Sequence, residues 1–251
     1  MTLLRSDASL AAMVATNRKH RTRRRLIKLA LILVLILAGF TLTLMAGRTF
    51  TPLGDVIRVL IGEQVAGADF TVGQLRLPRA VLAIAAGMSF GLGGAAFQTL
   101  LRNPLASPDI IGITSGASAA AVFAIVVLSL SGPVVSLLAV GAGLAIALLV
   151  HGLSSKNGVA GPRLILVGIG VSAMLESMIA YILSRAPAFT LQEAMRWLTG
   201  SLNGAKLDQA LPLIVALIAL GSLLLAKARD LDVMRAGDET ATALGVHVSS
   251  T

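Results

Sequence analysis

Six stretches of near-continuous apolar residues decide what this chain can fold into. The first, Leu29–Ala46, contains no charged side chain. A helix rises about 1.5 Å per residue and the hydrocarbon core of a bilayer is about 30 Å thick, so crossing it takes about 20 apolar residues. Leu29–Ala46, Ala80–Leu101, Ile110–Leu130, Val134–Leu153, Leu164–Leu183 and Leu211–Ala226 meet or approach that length. The first is too long for the apolar part of a secretory signal, and no small-x-small cleavage site follows it, so it reads as a span. Thr114, Ser115, Gly116 and Ser118 dilute the first half of the third. Of 251 residues, 56% are apolar and 13% charged, against about 45–50% and about 25% in soluble domains. The expected fold class is therefore an all-α polytopic membrane protein with six transmembrane helices. A soluble single-domain enzyme is excluded.

Lysine and arginine set the orientation, because they accumulate on the cytoplasmic side. The tail formed by residues 1–28 holds eight of them, Arg5, Arg18, Lys19, Arg21, Arg23, Arg24, Arg25 and Lys28, against one acid, Asp7. If that tail is cytoplasmic, Arg102, Lys156, Arg163, Lys227, Arg229 and Arg235 join it, making 14 basic residues inside. Arg48, Arg58, Arg76, Arg79, Arg185, Arg196 and Lys206 make seven outside. Both termini are expected in the cytoplasm. The formal charge of +9 is then mostly one tail, which reads as a topology signal and an attraction to anionic membrane lipid, with no nucleic-acid partner.

Several chemistries are absent from the sequence. There is no cysteine, so thiolate metal sites, iron–sulfur clusters and cysteine nucleophiles are excluded. His20, His151 and His247 are too scattered to hold a metal, and no cofactor is expected. No G-x-x-x-x-G-K-[ST] loop, HExxH motif, Ser/His/Asp set or paired catalytic carboxylates occur. An ATP-driven process would need its ATPase on another polypeptide.

Within the spans, Gly87 and Gly91 form a GxxxG, and Gly112 and Gly116 open the third; such residues let helix backbones approach closely. Glu176 is the one acid well inside a span. A carboxylate there costs several kcal/mol, so it should face the bundle interior, a watery path or a partner, or be protonated or snorkelled. Pro104 and Pro108 break the chain between the second and third spans, and Asp109 stands where the third would begin. After the sixth, Gly237 followed by Asp238 and Glu239 reads as a helix start, with Ala241, Ala243 and Leu244 giving a small apolar face.

Longer blocks carry a resemblance. Arg76-Leu77-Pro78-Arg79 opens the second span, and Gln98-Thr99-Leu100-Leu101-Arg102-Asn103-Pro104-Leu105-Ala106-Ser107-Pro108-Asp109 closes it. Gly112-Ile113-Thr114-Ser115-Gly116-Ala117, Leu166-Val167-Gly168-Ile169-Gly170-Val171, Trp197-Leu198-Thr199-Gly200-Ser201-Leu202-Asn203-Gly204 and Met234-Arg235-Ala236-Gly237-Asp238-Glu239-Thr240-Ala241-Thr242-Ala243-Leu244-Gly245-Val246 follow. From about residue 26 onward the chain resembles the FecCD-type, or type II, permease subunits of bacterial ABC importers for iron–siderophore complexes and cobalamin. The Gly-Ser-Leu-Asn-Gly and Gly-Asp-Glu-Thr-Ala blocks most resemble ferric-enterobactin permeases.

The resemblance implies a multi-pass subunit of the bacterial cytoplasmic membrane, working by alternating access with no ATPase site of its own. Its implied partners are cytoplasmic ABC ATPase subunits, a secreted or periplasmic substrate-binding protein and a second permease subunit. Arg76 and Arg79 would dock acidic residues of the binding protein, a role the motif favours over the alternative of an interfacial anchor pair. Met234, Gly237, Asp238, Glu239, Thr240, Ala241, Leu244 and Gly245 would couple to the ATPase, residues 227–251 forming a cytoplasmic coupling segment after a permease domain of residues 29–226. Gly87, Gly91, Gln98, Gly112, Gly116 and Glu176 would serve helix packing or the pathway. Family members carry about ten spans, so six correspond to the first part of such a permease. A truncated product, a fragment and a split permease all fit that count, as does a non-transporting scaffold. An ion-coupled carrier is poorly supported by Glu176 alone.

Overall fold

The structure is a computed structural model that describes residues 3–154, 161–235 and 237–245. Ten α-helices follow one another, with no strand among the described residues: α1 (Leu3–Met45), α2 (Leu53–Leu60), α3 (Leu77–Leu100), α4 (Ile113–Val126), α5 (Pro133–Ser154), α6 (Gly161–Ser184), α7 (Ala188–Thr199), α8 (Leu207–Ala226), α9 (Ala228–Met234) and α10 (Asp238–Ala243). A π-helix, Asp69–Arg76, leads directly into α3, and a 3₁₀ turn, Pro108–Ile111, precedes α4.

Among the described residues, five helical stretches are long and apolar enough to cross a membrane: Thr16–Met45, Asp69–Leu100, Pro133–Ser154, Arg163–Ser184 and Leu207–Ala226. Every large apolar side chain from Leu26 to Leu37 is 43–62% exposed, a surface that only lipid or another apolar partner can cover. The protein is thus an all-helical, multi-pass membrane protein, as its hydropathy indicates. Helix α1 runs unbroken across Lys28 and Leu29, so the basic tail is a continuation of the first membrane helix.

The third predicted span differs from its expectation. Residues 110–130 do not form one helix of membrane length. Gly112 adopts φ +80, which breaks the 3₁₀ turn from α4, and Ser129 (φ +52) and Gly132 (φ +69) end the segment on the other side. The helix that remains has 14 residues, about 21 Å of rise. Its composition explains its place. Gly116, Ala119, Ala121, Val122, Ala124 and Ile125 are buried, and their small side chains admit neighbours on several sides.

The chain forms two compact units. One comprises the chain through Val81 with Gly204–Leu207; its core is Leu44, Val56, Ala68, Val72 and Ala80, from α1, α2, the π-helix and the start of α3. The other comprises Leu82–Asn203 and the chain from Asp208 on. Its core joins α4 to α5, α6 and α7 through Ala121, Val122, Ala124, Ile125, Val135, Ala139, Ile182 and Ala194.

Candidate functional site

The Arg-Leu-Pro-Arg motif sits where the π-helix gives way to α3. Pro78 has no N–H and its ring would strike the carbonyl four residues back in a regular helix; a wider turn before it relieves that conflict, and it carries Arg76 at its end. Both terminal nitrogens of the Arg76 guanidinium bond within the chain. Nη1 donates to the carbonyls of Leu44 (2.8 Å) and Met45 (3.0 Å) and to Thr51 Oγ1 (3.1 Å), and Nη2 donates to the carbonyl of Thr49 (2.6 Å). Leu44 and Met45 supply two of the last carbonyls of α1, which have no partner within the helix, and a cation there also meets the negative end of its dipole. Gly47 lies against it: a Cβ at that position would force the guanidinium to shift. Arg76 therefore closes the end of the first membrane helix and orders residues 46–51. Arg79, one turn on, is partly buried with Nε enclosed.

At the other end of α3, residues 102–109 form a braced turn. Arg102 stands at φ +51. The Leu105 amide donates to Asn103 Oδ1 (2.9 Å), and Ser107 Oγ accepts from the Asp109 amide (3.4 Å) as cap of the 3₁₀ turn. Thr114, in the first turn of α4, donates to the Asp109 carboxylate. Leu105 is 85% exposed. Beyond α8, α9 and α10 are joined at Gly237 (φ +108), where α10 begins. Met234 and Ala241 are buried, Thr240 and Leu244 are exposed, and Gly245 turns the chain at φ +83. The side chains of Asp238 and Glu239, and all of Lys156, Ala236, Val246 and the residues after it, lie outside the described set.

The packing and pathway candidates separate into two groups. Gly112 and Gly116 are buried against α5 and α6; a Cβ on Gly116 would lie 2.5 Å from Ile146 Cγ1. Gly168, within the block of residues 166–171, is tighter still: its Cβ would fall 2.5 Å from the Ile110 carbonyl oxygen and 2.7 Å from Ile111 Cα. Gly87 and Gly91 have open space around them, and Gln98 is exposed. Glu176 is exposed midway along α6 beside Met174, itself 74% exposed. It does not face the interior of this chain's own bundle.

Among the described residues no group of three or more metal-ligating side chains comes together. The FecCD transport family model matches residues 32–251. The chain belongs to the FecCD transport family. It is 40% identical over 223 residues to the achromobactin transport system permease protein CbrC of Dickeya dadantii, an alignment covering 88% of this chain and 64% of that protein. It is 36% identical over 230 residues to the ferric enterobactin permease FepG of Escherichia coli, covering 90% and 68%. A cobalamin permease, BtuC of Halobacterium salinarum, is 37% identical over 189 residues, covering 73% and 50%. The chain thus spans about two thirds or less of the length of these relatives. Among solved structures, one described as a metal-chelate type ABC transporter in an inward-facing conformation matches with TM-score 0.74 at 26% identity, covering 86% of this chain and 67% of that one.

Proposed function

We propose that this FecCD chain provides transmembrane helices of a binding-protein-dependent ABC importer that carries an iron chelate, of the ferric siderophore class, across the bacterial cytoplasmic membrane. The observation that carries the reading is the joint one of family membership over residues 32–251 and a six-helix apolar scaffold followed by the short α9–α10 pair. The ATPase subunits are separate polypeptides, the N-terminal tail and α9–α10 face them in the cytoplasm, and a second permease subunit completes the pathway. The cargo crosses already chelated, so the scaffold needs weak contacts and no iron ligands of its own.

Within that class we assign a catecholate chelate. The support is the wording of residues 200–204 and 237–241, which resembles ferric-enterobactin permeases; the identity to FepG, 36%, is no higher than that to the achromobactin and cobalamin permeases and does not choose between substrates. The binding protein docks on the Arg76–Arg79 edge of α3. Arg76 shapes that edge through its bonds to residues 44–51, and Arg79 supplies charge to acidic side chains of the partner.

The test is uptake by proteoliposomes containing the full permease, its ATPase and the binding protein. Radiolabelled ferric catecholate should enter with ATP, and an excess of unlabelled ferric hydroxamate should not compete. Uptake of hydroxamate or cobalamin alone would overturn the substrate, and ATP-independent uptake would overturn the importer. Arg79→Glu should weaken binding-protein docking about tenfold or more, with an effect that shrinks at high salt; unchanged affinity would remove Arg79 from the docking surface.

A further inference from the structure

Arg102 makes a contact that no sequence pattern announces. Its Nε donates to the carbonyl of Met234 at 2.8 Å, across 132 residues of chain. Met234 is the last residue of α9, so its carbonyl is one of the oxygens left without a partner inside that helix. The same oxygen also accepts from the Gly237 amide at 3.1 Å. A carbonyl oxygen has two lone pairs and both are used: one closes the turn from α9 to α10, and the other is held by Arg102.

The far side of Arg102 is equally fixed. Its amide donates to the carbonyl of Thr99 at 3.2 Å, and the Asn103 amide donates to the carbonyl of Gln98 at 3.1 Å, so the arginine is rooted in the last turn of α3. The Ala106 amide donates to the Asn103 carbonyl at 3.1 Å, and Ala106 is buried. From there the bonds through Ser107 and Asp109 reach Thr114 in α4. An unbroken line of hydrogen bonds and covalent turns thus joins the α9–α10 junction to the base of the most buried helix. The left-handed φ of +51 at Arg102 fits this role. Few non-glycine residues adopt such a backbone conformation, and those that do are held there by their surroundings.

We propose that Arg102 is a positioning residue that makes the 102–109 turn and the α9–α10 pair move as one body, carrying displacement of α9–α10 to the base of α4. The inference rests on the reading of α9–α10 as the surface the ATPase subunits press. A planar guanidinium suits the task better than an ammonium, because its N–H directions are fixed relative to one another.

Two measurements separate this linkage from the importer reading. The first needs no partner: amide hydrogen–deuterium exchange on the detergent-solubilised chain. Arg102→Gln should speed exchange about tenfold in both the 103–109 turn and residues 234–245, and Arg102→Lys should give a smaller rise in the same two segments. Unchanged exchange in either segment would overturn the linkage whether or not the protein transports. The second uses the full permease reconstituted with its ATPase and binding protein. Arg102→Gln should keep ATP hydrolysis within about twofold of wild type while substrate moved per ATP falls about tenfold. A purely structural role would lower both together, and an unchanged ratio would overturn the proposal. A wild-type complex with no binding-protein-stimulated hydrolysis would refute the importer reading while leaving the exchange result to decide the linkage.

Discussion

Replacing Arg76 by alanine removes four hydrogen bonds at once, from Nη1 to Leu44, Met45 and Thr51 and from Nη2 to Thr49. A bond to a charged group contributes about 1.5–3 kcal/mol. The four are not additive, since they share one guanidinium and the freed carbonyls lie at a helix end where water can replace it. A local loss of about 2–4 kcal/mol is therefore the reasonable size, closer to one or two bonds than to four. It should appear where the bonds act. The Thr51 amide donates to the Met45 carbonyl at 3.0 Å, inside the loop that Arg76 ties down. Its hydrogen exchange should accelerate about 30- to 1,000-fold, since each 1.4 kcal/mol is about a factor of ten. Arg76→Lys should recover part of the protection, because an ammonium can reach some of these acceptors but cannot match the fork. Thr51 exchange within about threefold of wild type in Arg76→Ala would show that the network carries no stability, and that the arginine stands there for its charge alone.

Four further substitutions have expected outcomes, three set by packing and one by charge. Gly168→Ala should destabilise the chain by about 1–3 kcal/mol or more, because the added methyl meets backbone at Ile110 and Ile111 that cannot rotate away; thermal unfolding in detergent would show it. Gly116→Ala clashes with the Ile146 side chain and touches the Ala142 carbonyl only at ordinary contact distance, so it should cost less, while Gly91→Ala, with nothing nearby, should be neutral within about 0.5 kcal/mol. Glu176→Gln removes a charge from the exposed middle of α6 but leaves a polar amide, so it should favour membrane insertion of that helix by at most about 1 kcal/mol in a translocon assay. Unchanged insertion would mean that Glu176 already enters protonated.

The positions and order of the apolar helices were legible because hydropathy is a local property, summed over a window that needs no knowledge of neighbours. The outer helices follow it closely: Val134–Leu153 becomes α5 at Pro133–Ser154, and Leu164–Leu183 becomes α6 at Gly161–Ser184. The third span was mis-sized because residues 110–130 are as apolar as the rest, while the break at Gly112 depends on a left-handed φ and on backbone contact with Gly168. The helix start at Asp238 was legible from Gly237 and the acids behind it. What Arg76 and Arg102 hold was not. Apart from Thr51 Oγ1, the acceptors given for them are main-chain carbonyls, up to 132 residues away, and a carbonyl leaves no mark on residue identity. The motif placed Arg76 at the mouth of a span, and that placement alone could not distinguish a partner's carboxylate from the chain's own helix end.

The shortness of α4 also bears on how the chain is built into a membrane. A helix of 14 residues falls about 9 Å short of the hydrocarbon thickness, and non-helical backbone at that depth survives only where protein or water satisfies it. Alone in lipid, the turns at 107–112 and 127–132 would leave amides and carbonyls stranded. During synthesis, α4 should therefore be retained beside the insertion machinery until α5 and α6 have emerged, and enter the bilayer with them as one packet. Its buried glycine and alanines are then the means by which a segment too short to insert by itself is carried in by its neighbours.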